Sequence, residues 1–172
     1  NNPKATLNFI LLTICASIIS GQQWRPGSGL ELKSINDFDV LVAPISQSGN
    51  NIGLFEDNIE SKIRLALRKN GTPARGNDKG PYLYIHIRVM AIRSNGTLKG
   101  YSSAIDIGFY RLVNFINYDK QKEVIYKTVA EVWDTPGLTT ISPEYRAKNE
   151  ILDATISLLD EFSIALFNAN NK

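Results

Sequence analysis

One histidine, His86, and one cysteine, Cys15, are all that 172 residues offer of the two most versatile catalytic side chains. His86 lies between Tyr84 and Arg88 in an alternating run, so its ring falls on the polar side of a strand. An imidazole titrates near neutrality and suits proton transfer. Catalysis also needs a nucleophile or carboxylate spaced to serve it, and no such motif accompanies His86. The plainer reading is a half-exposed sheet histidine, and a single histidine does not make a zinc site. Asp106, between Ile105 and Ile107, is either a functional carboxylate or half of a cross-strand ion pair with Arg88 or Lys127. Glu131 and Asp134 bracket Trp133, which is the composition of a sugar-cleaving pair beside an aromatic platform. Two acids near a strand end are also commonplace. Asn70 and Asn95 each open an Asn-Gly-Thr sequon. Pro73 disfavours use of the first, and both read as turns. Phosphate loops, serine elbows and redox cysteine pairs are missing, so no residue is assigned to catalysis, to a cofactor or to a metal.

The residues with most leverage are of another kind. Tyr82, Tyr84, His86, Arg88, Tyr110 and Tyr126 can be placed on one sheet face, giving an aromatic, Arg-bearing surface of the sort that binds partners. Tyrosine also simply favours strands, so a plain solvated face is the competing reading.

Positioning that face requires a sheet and something to cover its back. The run 38–45 is β-rich and ends around Pro44, and 46–51 reads as a loop. Over 54–69, Phe55, Ile59, Ile63 and Leu67 recur every fourth residue, with acids in the first turn and bases in the last. Asn70-Gly71 closes that helix. Strands follow at 82–92, 101–115 and 123–133, the first two joined by the hairpin signal Asn95-Gly96. Gly108 marks a bulge or a close approach. Residues 134–137 break the last strand and 138–141 bridge to a helix. Ser142 is its N-cap, Pro143 its first residue, and the stripe Ile151, Leu152, Thr155, Leu158, Leu159, Phe162 and Leu166 its core face. The expectation is an α+β two-layer sandwich, a mainly antiparallel sheet with two helices on one face, in the order β-α-β-β-β-α. Domain organisation follows as a single domain at 37–168, an extended lead-in at 22–36 and a polar tail at 169–172.

Residues 1–21 carry one charge, Lys4, then an apolar run at 7–19 and the small residues Ser20 and Gly21. These are the three parts of a secretory signal. With no Ala-x-Ala site, a retained N-terminal membrane anchor is the alternative, and membrane contact would then run through 7–19. Cys15 is a lipidation candidate, since Leu12 and Thr13 fit the start of a lipoprotein box and Ile14 departs from it. A mature domain without cysteine suits a bacterial envelope, where disulfides are optional. The chain's 19 basic and 17 acidic residues nearly balance and form no basic run, which gives no footprint for nucleic acid.

Residues 54–71 (LFEDNIESKIRLALRKNG), 82–87 (YLYIHI), Glu131-Val132-Trp133 and 158–162 (LLDEF) resemble a family of small exported bacterial proteins of unknown function. That resemblance implies a signal peptide plus one α/β domain and carries no site residues. The element order is also similar to that of the lipopolysaccharide-assembly lipoproteins that plug an outer-membrane barrel, a likeness of topology alone. Three expectations follow for an exported protein, periplasmic or anchored facing the periplasm. It is a non-enzymatic module binding another envelope or membrane protein, with no cofactor. Alternatively it is an accessory subunit held in a membrane complex by an uncleaved N-terminal helix. The third is a hydrolase or transferase acting on an envelope polymer.

Overall fold

The computed structural model describes residues 32–35, 37–72, 74–76, 80–119, 122–135 and 137–171, with the backbone alone at 115–119 and 122–124. The expected signal or anchor segment at 1–21 with Cys15, and most of the expected lead-in, lie outside the described residues. The fold is α+β. Among the described residues, a mixed five-stranded sheet and three helices follow the order β1 (Asp39–Val42), α1 (Gln47–Asn51), α2 (Glu56–Lys69), β2 (Tyr82–Ser94), β3 (Thr97–Asp119), β4 (Lys122–Asp134), β5 (Leu138–Ser142), α3 (Glu144–Asn170).

Apolar periodicity decides the layers. Leu83, Ile85, Ile87 and Val89 of β2 are buried together with Ser103, Ile105, Ile107 and Phe109 of β3. Ile59, Ile63 and Leu67 of α2, and Ile151, Leu158, Leu159 and Phe162 of α3, close over them in one core. Phe162 is its hub, with ring centroids 5.5 Å from Phe38, 5.4 Å from Phe109 and 5.0 Å from Trp133. Both long helices therefore cover one face of the sheet, as the two helix stripes require.

The sheet runs β1-β2-β3-β4, with β1 parallel to β2 and the other pairs antiparallel. The turn Asn95-Gly96 has φ of 50° and 77°, the left-handed pair that an Asn-Gly hairpin supplies at least cost. At the end of α2, Gly71 (φ 70°) lets its own N–H reach Arg68 O and the Thr72 N–H reach Leu67 O. Orphan carbonyls of the last turn are satisfied in this way.

Three expectations are corrected. Residues 46–51 are not simply a loop: Ser46 caps the short helix α1, its Oγ accepting from Gly49 N. Residues 138–141 are not a bridge, since β5 pairs with β3 from Tyr101↔Ser142 to Ile105↔Leu138. Strand pairing resumes because Thr135 N donates to Ile107 O at 2.9 Å, which holds the chain against β3 across the break. Pairing of Ser142 in turn delays α3, so Pro143 takes the N-cap position and the helix begins at Glu144.

Candidate functional site

Alternation in β2 puts Tyr82, Tyr84, His86 and Arg88 opposite in phase to the core positions, on the sheet face that none of the described helices covers. Register then decides their neighbours. Tyr82 pairs with Tyr110, Tyr84 with Gly108, and His86 with Asp106. The Tyr82 and Tyr110 rings stack at 5.2 Å with 9° between planes, and Tyr84 meets Tyr110 edge-on at 6.1 Å. His86 lies 6.4 Å from Tyr84. Five of the six expected residues thus share one patch. Tyr126 does not, because its partner in β4–β3 pairing is Phe115, well beyond Tyr110.

Gly108 is what lets the patch close. A methyl group at this position would overlap Glu131 Oε1 and crowd the Tyr110 ring, so the carboxylate rests on the space that a side chain would fill. Burial first, then a hydrogen bond to Glu131, push the Tyr110 phenol up to about 12. Asp134 sits opposite Gly108, where burial and then the Glu131 charge raise its carboxyl above the ordinary value. The register shift between Phe109 and Tyr110 puts both acids on this face, with Tyr110 opposite Glu131. Trp133, opposite Phe109, points into the core against Phe162 instead. The expected aromatic platform beside the two acids is therefore not formed.

Asp106 is paired with Arg88, Oδ2 accepting from Nη2 at 2.8 Å, with the two side chains 47% and 60% exposed. Of the two partners weighed, Arg88 is the one that meets it. An ion pair this open is worth about 0–1 kcal/mol. It also engages the carboxylate opposite His86 in the β2–β3 register, so the geometry does not assemble a His–Asp dyad with a nucleophile. Among the described residues no group of three or more His, Cys, Asp or Glu is placed to hold a metal ion.

Sequence reasoning missed the apolar members of this surface. Leu41, Met90 and Ile141 are exposed. Met90 lies on this face with Arg88, and Ile141 joins it through its pairing with Ser102. Met90 was legible from strand alternation, whereas Ile141 depended on the unforeseen β5.

No family model matches the chain, and no curated protein matches it. Solved structures with some likeness include a minor lipoprotein from Acinetobacter baumannii, at 9% identity over 78% of this chain and 92% of that one, with a TM-score of 0.29. Rare lipoprotein B from Shewanella oneidensis shows 8% identity over 76% and 92%, with a TM-score of 0.26. A chain assigned as a lipoprotein from Caulobacter crescentus shows 13% over 81% and 90%, with a TM-score of 0.27. With TM-scores below 0.5, these likenesses carry no weight for the function of this chain.

Proposed function

We propose that this chain is an exported bacterial envelope protein acting as a non-enzymatic binding or assembly module, and that its uncovered sheet face docks a partner protein. The observation that carries the reading is the stacked Tyr82–Tyr110 pair with Tyr84 edge-on, held on rigid strands beside Arg88. Large aromatic side chains fixed before binding lose little entropy on contact, and Tyr and Arg dominate binding hot spots. The secretory pattern at residues 1–21 supplies the envelope setting. In situ photo-crosslinking tests the reading. A benzophenone side chain at 82, 84 or 110 is expected to trap the same partner protein, and one at Leu65 or Ile164 on the outer helix faces is not. Equal trapping at both sets of positions, or none at the sheet face, sinks it. His86→Ala and Asp106→Ala should weaken docking without abolishing it.

A further inference from the structure

The β3–β4 pairing continues beyond Tyr82↔Tyr110, the last contact of β2 at this end. Residues 111–119 and 122–130 therefore form a two-stranded ribbon, roughly 30 Å long at about 3.3 Å per residue. On it Leu112, Ile125, Tyr126 and Val129 are each more than half exposed. Register puts Leu112, Val129 and Ile125 on one side of the ribbon and Tyr126 on the other. A lone two-stranded ribbon is marginal in water, and clustered exposed apolar groups mark a contact surface.

Three further features gather at the same end of the molecule. The 31 residues before Leu32 join the domain here, where Asn170 Nδ2 at the end of α3 donates to Leu32 O at 3.1 Å and Phe38 packs on Phe109. Along the described strands of the ribbon the sequence has three basic residues, Arg111, Lys122 and Lys127, against the acidic Asp119 and Glu123. A cleft of about 920 Å³ opens beside β1, lined by Asp39, Arg64, Arg68, Thr72, Arg75 and Gly76. Within it Arg64 is fixed by Asp39 and Glu60, while Arg68 and Arg75 bring two more guanidinium groups to the wall. Guanidinium geometry matches phosphate oxygens.

We propose that this end of the domain faces an anionic lipid bilayer, with the ribbon lying in the headgroup region and Arg68 and Arg75 against lipid phosphates. Apolar side chains interleaved with lysines suit the headgroup boundary, where stems are buried and charges stay wet. The ribbon does not enter the hydrocarbon, because its unpaired edges would leave backbone groups without partners. This contact is made by the folded domain and is separate from any made by residues 7–19.

The test uses the full chain with Cys15→Ser and single cysteines at Leu112, Ile125, Met90 or Tyr145, each carrying an environment-sensitive dye. Met90 and Tyr145 lie at the far end, near the start of α3. The chain is mixed with vesicles of equimolar phosphatidylethanolamine and phosphatidylglycerol in which a fraction of the lipids carries a nitroxide quencher on the headgroup. Quenching at 112 and 125 but not at 90 and 145 is expected. Equal quenching at all four positions overturns the proposal. So does none at 112 and 125 while the chain sediments with the vesicles, in which case the ribbon stands clear of the lipid and is left free for a partner protein. Shielding of both ribbon dyes without lipid, with a dimer seen by light scattering, overturns it in favour of a second copy. Independently, Arg68→Gln with Arg75→Gln should weaken partition to the anionic vesicles by about fivefold per residue, with circular dichroism unchanged. Unchanged partition removes the phosphate contact.

Discussion

At the scale of single residues, the patch is held by packing around Gly108 and by the proton chemistry of Tyr110, Glu131 and Asp134. The raised Tyr110 pKa means that its contribution to stability is complete below the unfolded value near 10 and is lost as pH rises through about 12. Tyr110→Phe is expected to cost about 1 kcal/mol in urea unfolding at pH 8 and to remove the latest component of the alkaline tyrosinate absorbance titration. Asp134 has the same sign at lower pH. Its protonated form is favoured in the fold, so that stabilisation is complete below the ordinary 3.8 and lost as pH rises through the raised value. Asp134→Asn should therefore raise the melting temperature at neutral pH, with the gain fading below 3.8. For Asp39 burial works the other way from its hydrogen bonds to Arg64 and Val40 N–H, and the bonds prevail, lowering its pKa. Stability from that pair is present above 3.8 and lost as pH falls through the lowered value. Alternation alone made the phase of Tyr82, Tyr84, His86 and Arg88 legible. The partnership of Tyr110 with Glu131 was not, because Gly108 signals a bulge or a close approach without telling which residue of β4 falls out of the pairing.

At the scale of elements, the helices were the clearest part of the chain. A four-residue apolar repeat with acids first and bases last has one reading, and α2 runs to Lys69 as expected. Its stop depends on the left-handed Gly71, around which nothing lies within 4 Å of an added Cβ. Gly71→Ala is therefore expected to cost about 1 kcal/mol of backbone strain alone, read as a shift in the thermal midpoint. Phe162 anchors α3 against both β3 and β4 through Phe109 and Trp133. Phe162→Ala should cost about 3–5 kcal/mol in chemical denaturation. The strands were harder to bound. Their pairing energy comes from neighbours distant in sequence, so β3 extends at both ends past the expected 101–115, to Thr97–Asp119. The Pro136-Gly137 interruption likewise concealed β5, whose existence rests on its partner β3.

At the scale of the whole molecule, one end of the sheet gathers the ribbon, the arginine cleft and the entry of the N-terminal segment. Replacing residues 113–128 with a two-residue Asn-Gly turn removes a ribbon whose described apolar side chains face solvent. The shortened protein should keep its circular dichroism spectrum and bind the vesicles more weakly than the full chain. The α+β class, the helix faces, the Asn95-Gly96 hairpin and the inward phase of β2 are legible in the residues themselves, because each follows from interactions within a few residues. Which tyrosines meet, that Trp133 turns inward while Glu131 and Asp134 turn outward, and that a ribbon extends past the sheet emerge in the folded molecule. Those outcomes are set by register between strands. A shift of one residue there moves every side chain beyond it to the other face.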